Sequence, residues 1–331
     1  MIPRFAHYLM RNQVIFALFL IAFGWFVYVT RGIIASIFIA YIITAAMMPV
    51  VNFFQRRGFP RILAVVIPYA LSLIVIFSLI FPLIPFSITQ INALIIGLPN
   101  YIDQAAKVLG ISIERSQITA FANQELGALG KNAFEVTRQF FGGVFSTLTI
   151  FIIALYMTLY HDQFKHTFAK LFHRDDRSHV EDTFELVDDK LGAWLRGQIL
   201  LSLTIGFFTW VALSLVGLNY ALPLALLAGF LEIIPTIGPI LAAIPAVIVA
   251  LNVSPTMALV VIGIYILIQL AENNIIVPKI MQHAVGLNPV VIIIAILVGA
   301  ELLGITGALL SLPFVSFVTV IYNSLQNAEN K

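Results

Sequence analysis

The chain is 331 residues long, 60% hydrophobic and only 10% charged, with a formal net charge of +2. Soluble globular chains carry about 25% charged residues, so a mean hydropathy of +1.01 excludes a soluble domain and points to an all-α polytopic membrane protein. The small net charge gives nucleic acid nothing to hold. The lack of any cysteine excludes disulfides, thiolate catalysis and Cys-ligated zinc.

In chain order, Arg4 and Arg11 precede an apolar run and imitate a signal peptide. No small-residue cleavage site follows, so the run reads as an uncleaved first membrane helix. Apolar segments at 13–30 and 33–51 are separated only by Arg31-Gly32, and an antiparallel hairpin is expected there. A polar loop with Arg56, Arg57 and Arg61 leads to a third segment at 62–86, where Pro68, Pro82 and Pro85 predict a kink or an early end. Residues 1–86 thus form a three-span region. Residues 87–140 mix apolar and charged side chains and read as an extramembrane domain of amphipathic helices.

A fourth span covers 141–160. The linker 161–197 is the most charged stretch. Its Phe164, Phe168, Leu171 and Phe172 share a helical face beside Lys165, His166 and Lys170, which suits a helix lying on anionic lipid. Trp194 is placed at the interface, and His161, His166, His173 and His179 are expected as solvated surface. Residues 198–331 are nearly all apolar and are expected to form the transport domain, which carries the repeat. Spans at 198–217 and 256–277 alternate with long blocks at 220–251 and 289–323, each broken by Gly and Pro. Half of either block is roughly 24 Å of helix, short of a ~30 Å hydrocarbon core, so each is expected to be a re-entrant hairpin. Six spans and two hairpins make about eight membrane segments.

These two blocks are related. Val216-Gly217-Leu218-Asn219 recurs as Val285-Gly286-Leu287-Asn288, an offset of 69 that also carries Glu232 onto Glu301 and Gly238 onto Gly307. Pro245 meets Pro313 one residue out of register. One full span plus one re-entrant hairpin per copy would make the copies inverted, whereas two full crossings would make them parallel. Basic residues favour both termini in the cytoplasm, with 13 Lys and Arg on that side against 5 outside.

Beyond residue 197 and before the C-terminal tail, Glu232, Glu272 and Glu301 are the acids. A carboxylate in lipid is costly unless it faces a cavity or a partner. Gln269, Glu272 and Asn273 share a helical face, followed by Asn274, Pro278 and Lys279, and together read as a polar lining or a cation or proton site. Pro235-Thr236-Ile237-Gly238-Pro239 breaks a helix and frees backbone groups that can bind an ion or a solute, or simply make a tight turn. Pro235, Pro239, Pro278, Gly304, Gly307 and Pro313 are the expected structural or gating positions. Arg196 and Lys279 are candidate charge partners of the acids, in which case the acids hold the fold. No metal-ligand cluster, H-E-x-x-H, G-x-S-x-G or phosphate-binding loop is present, so neither an enzyme nor an ATP-driven pump is expected, and no cofactor.

The runs Leu231 to Pro239, Glu272 to Lys279, Val285 to Pro289 and Gly299 to Gly307, with Arg196-Gly197-Gln198 at the entry to a span, resemble the AI-2E (autoinducer-2 exporter) family, the PerM-like permeases. The resemblance covers essentially the whole chain. It implies a bacterial cytoplasmic-membrane permease and a homo-oligomer such as a pentamer. Family members are assigned to export of the small polar signal autoinducer-2 in quorum sensing, others to sodium/proton exchange. The expected function is a secondary transporter exporting a small polar solute, coupled to H+ or Na+. The alternatives are a sodium/proton antiporter and a structural membrane protein that binds a partner through 87–140.

Overall fold

The computed structural model describes residues 13–109, 142–174, 176–234, 237–281 and 289–329. These form helices α1 (Gln13–Arg56), α2 (Arg61–Leu109), α3 (Gly142–Leu159), α4 (His161–Ala169), α5 (Arg177–Leu215), α6 (Ala221–Leu231), α7 (Ile237–Leu251), α8 (Pro255–Ala271), a π-helical turn (Glu272–Ile276), α9 (Val277–Met281), α10 (Pro289–Leu303) and α11 (Ile305–Glu329). Among the described residues there is no strand. Among the described residues six helices are long and apolar enough to cross a membrane, and three shorter apolar ones, α6, α7 and α10, are not. Large apolar side chains cover the outer surface from Val14 to Leu325, as lipid rather than water requires.

The expected hairpin at Arg31-Gly32 does not form. α1 runs unbroken for 44 residues, about 66 Å and twice a ~30 Å core. A hairpin needs a residue that ends a helix, and this linker has none. One helical glycine costs about 1 kcal/mol, less than opening the ladder of backbone hydrogen bonds. Local contacts bind the join: the Arg31 guanidinium lies 4.1 Å from the Tyr28 ring centroid, and the Ser36 hydroxyl donates to the Gly32 carbonyl at 2.9 Å. Arg31 therefore marks no external loop, and the side of the N-terminus does not follow from it.

The third segment likewise neither kinks to a stop nor ends early. α2 continues through Pro68, Pro82, Pro85 and Pro99 to Leu109, so 87–109 extends a membrane helix, while the rest of the expected 87–140 insert, 110–140, lies outside the described residues. The charged linker and the fifth span are also one rod, the 39-residue α5. Trp194 is 7% exposed and packs with Ile42, Ala45 and Leu191 rather than sitting at an interface.

Membrane helices gain no hydrophobic drive from touching each other, so close backbone approach at small residues and polar contacts hold them together. α5 crosses α1 at Gly192, where a Cβ would lie 2.6 Å from the Ala45 carbonyl oxygen. Pro49 stands inside α1 and has no N–H for the carbonyl four residues back, that of Ala45. Arg196 fills this vacancy, its Nη1 donating to the carbonyls of Ala45 and Ala46 at 3.4 Å each. The second block reverses at Gly304, whose φ of +61° suits glycine. Gly299 and Gly307 then face each other: a Cβ on Gly307 would lie 1.9 Å from the Gly299 oxygen. Its repeat mate Gly238 stands equally close, 2.0 Å, to the Leu231 oxygen. The arms differ from the equal halves expected, since α10 has 15 residues and α11 has 25, the latter about 37 Å.

Candidate functional site

α5 and α6 run antiparallel along a ladder of small residues. Gly206 approaches the Ala225 oxygen, with a Cβ-to-oxygen distance of 3.3 Å, and Gly229 approaches the Ser202 oxygen at 2.7 Å. One turn further, Gln198 Nε2 donates to the backbone carbonyl of Glu232 at 2.9 Å. That bond fixes the end of α6, where the helix breaks. The N–H groups of Ile233 and Ile234 close short turns onto Phe230 and Leu231, and α7 begins at Ile237. Pro235 and Thr236 lie outside the described residues.

The Glu232 side chain, 1% exposed, turns from this break toward α8 and meets the carboxyl group of Glu272 within hydrogen-bonding range. Glu272 is 5% exposed and opens the π-helical turn. The cause of that turn is local. Pro278 supplies no N–H, and its ring crowds the carbonyl four residues back, that of Asn274. The helix widens, and Val277 N–H reaches five residues back to Glu272. Asn274 Nδ2 caps the Leu270 carbonyl at 2.8 Å. Single π turns inside α-helices are frequent at functional sites; here the wider turn lies where Glu272 faces Glu232. Gln269 also hydrogen-bonds the Glu272 carboxyl and donates to Asn273 Oδ1 at 3.3 Å.

The pair has spare hydrogen-bonding capacity. Oε2 of Glu232 and Oε2 of Glu272 are buried without a partner, as is the Ser202 hydroxyl one turn along α5 from Gln198. Two carboxylates this close in apolar surroundings repel unless a proton or a cation lies between them.

Of the expected site residues, Glu232, Glu272 and Gln269 come together, with Asn273 at the edge. Asn274 is exposed and spent on its own helix, and Glu301 is exposed on α10. Neither expected charge partner reaches the acids among the described residues: Arg196 is engaged with α1, and Lys279 is exposed. Gly238 and Gly307 are buried at their close approaches, Pro239 lies in the first turn of α7, and Pro313 is buried inside α11. Gln198 was not singled out from sequence as a binding residue, although a lone amide entering an apolar run was the available signal. His161 departs from the solvated reading, being 8% exposed and paired with Asp188 at 2.9 Å. His179 is half-buried, with Nε2 at 3.0 Å from the Ser324 carbonyl.

Three relatives align with most of this chain. YrrI of Bacillus subtilis, named as a candidate transport protein, is 29% identical over 87% of this chain and 84% of its own. YueF of the same organism, named likewise, is 27% identical over 86% of this chain and 82% of its own. The Escherichia coli AI-2 transport protein TqsA is 27% identical over 87% of this chain and 85% of its own. The AI-2E family transporter profile matches residues 14–327. A membrane protein of many apolar helices matched to that family over nearly its whole length belongs to the AI-2E family of transporters.

Proposed function

We propose that this chain is a secondary transporter that exports a small polar solute such as autoinducer-2 and couples that movement to H+ or Na+ through Glu232 and Glu272. The buried acid pair with unpartnered oxygens carries the reading. A transport site must hold a cation in one state and release it in another, and two facing carboxylates are stable only while something positive, or a proton, lies between them. The solute itself rests on the name of TqsA and on family membership. Placement in the bacterial cytoplasmic membrane, with 161–197 on the cytoplasmic side, a re-entrant inverted arrangement of the two blocks, and a homo-oligomer belong to the same proposal.

A sodium/proton antiporter is the second reading. The same observation favours it, since two acids converge on one position. Purified protein in liposomes containing a pH-sensitive dye separates the two. Sodium and proton gradients are imposed, then autoinducer-2 is added, for the native chain and for Glu272→Gln. Proton flux that requires the solute and is lost in the variant supports the exporter. Flux driven by sodium alone and lost in the variant supports the antiporter. Folded, oriented protein with no flux under any gradient refutes both.

A further inference from the structure

A second buried polar cluster centres on His161, two residues beyond the end of α3 and outside the apolar spans themselves, though α1, α2 and α5 supply its partners. His161 Nε2 meets Asp188 Oδ2 of α5 at 2.9 Å. The other Asp188 oxygen accepts from the Tyr41 hydroxyl of α1 at 2.6 Å. On the opposite side of the ring, Nδ1 stands 3.7 Å from Asp162 Oδ1, and Asp162 is paired with Arg61 of α2 at 2.8 Å. Every element packed here contributes a group: Tyr41 from α1, Arg61 from α2, Asp188 from α5 and Asp162 from α4 itself. One turn along α4, Lys165 pairs with Glu185 of α5, and His166 Nδ1 meets Glu181 of α5 at 2.7 Å on the exposed side of the same contact.

The imidazole is the hub. A neutral ring can donate from Nε2 to Asp188, but its buried Nδ1 then has no hydrogen-bond partner. A protonated ring presents an N–H to each side and sets a positive charge between two carboxylates. We propose that His161 is a proton-operated fastener that holds the charged start of α5 onto the α1, α2 and α3 bundle, so that proton availability on that side of the membrane sets how firmly α5 is held. The direction of titration agrees. The hydrogen bond to Asp188, assisted by the charges of Asp188 and Asp162, holds His161 above the ordinary histidine value against the opposing effect of burial. Stabilisation from a raised histidine is fully present below its ordinary value near 6.5 and is lost as pH rises through the raised one. α5 also carries Gln198, ten residues beyond Asp188 and about 15 Å along the rod. That loosening α5 would disturb transport rests on the acid pair being the transport site; the fastener itself does not.

Hydrogen exchange of the full chain in lipid nanodiscs tests it without any transport measurement. After correction for the intrinsic pH dependence of exchange, protection of the first turns of α5, residues 177–195, should fall about fivefold or more between about pH 5.5 and pH 8.5. With His166→Gln as the common background, which removes the exposed histidine contact to Glu181, His161→Gln should hold one level of protection throughout. Asp188→Asn, which keeps a hydrogen-bond acceptor but removes the charge, should retain a transition at lower pH. A native chain whose protection does not change with pH, or a His161→Gln variant that keeps the transition, overturns the proposal. Should His161→Gln fail to fold, an Asp188→Asn variant with an unmoved midpoint overturns it equally.

Discussion

Gly307→Ala adds one methyl group at the tightest point of the α10/α11 hairpin. The new Cβ would lie 1.9 Å from the Gly299 oxygen and 2.6 Å from its carbonyl carbon, where ordinary contact begins at 3.4 Å. The arms must therefore part by about 1.5 Å, or slide to the same effect. The turn cannot absorb this, because it consists of Gly304 alone at positive φ. A radial gap of 0.5–1 Å already forfeits a quarter to a half of each contact of about 0.1–0.2 kcal/mol. Some tens of such contacts line the crossing, so the loss is about 2–4 kcal/mol, at or above the usual range for overpacking. Lipid returns nothing for it, since packing is what holds membrane helices together. Gly238→Ala, with 2.0 Å to the Leu231 oxygen, should cost a similar amount. Gly263→Ala is the control: no atom stands within 4 Å of its added Cβ, and alanine in a helix interior should stabilise by about 0.5–1 kcal/mol. SDS titration of mixed micelles, followed by tryptophan fluorescence, measures all three. If Gly307→Ala unfolds at the same SDS fraction as the native chain, the two backbones do not touch and the hairpin geometry is wrong.

Gln198→Leu should destabilise by about 1–3 kcal/mol, because it leaves the buried Glu232 carbonyl without its donor, and ion-driven flux should fall with it in the liposome assay. Pro49→Ala restores the N–H that the Ala45 carbonyl lacks, so Arg196→Met should be far less harmful in that background than in the native chain. A double-mutant cycle of SDS stability measures this coupling, expected at about 1 kcal/mol or more; additive effects would refute the account of Arg196.

The membrane class and the broken blocks are legible because composition and Gly/Pro punctuation act locally. The same local reading fails at Arg31-Gly32, where an arginine and a glycine resemble a loop, yet nothing in them terminates a helix. It fails at α5 for a related reason: polarity changes near residue 197 while the helical backbone does not. The acids were legible as costly groups in lipid, but their partners were not. Spacing along one helix joins Glu272 to Gln269 and Asn273, whereas the meeting with Glu232 depends on how α6 and α8 pack. Pro278 for the π turn and Pro49 for the seat of Arg196 were signals the sequence reading left unused, through the carbonyls that each proline leaves unbonded.

Repeat symmetry explains why only one of the paired acids is buried with a partner. Applied backward, the offset of 69 sets Glu272 against Leu203; applied forward, it sets Gln198 against Leu267. Both leucines are exposed. Gln198, which anchors the Glu232 backbone, thus has Leu267 as its counterpart in the copy that carries Glu301, and Glu272 has no acid counterpart in the first copy. Glu301 accordingly stays on the outer side of α10. An ancestral pair of equal sites would require both glutamates for ion movement; the asymmetric arrangement requires one. Glu232→Gln should then abolish cation-dependent flux in liposomes, and Glu301→Gln should leave at least about half of it, since a change outside the paired site removes no shared cation position. Equal loss in the two variants would show that Glu301 enters the transport path, and that the site extends through the second hairpin.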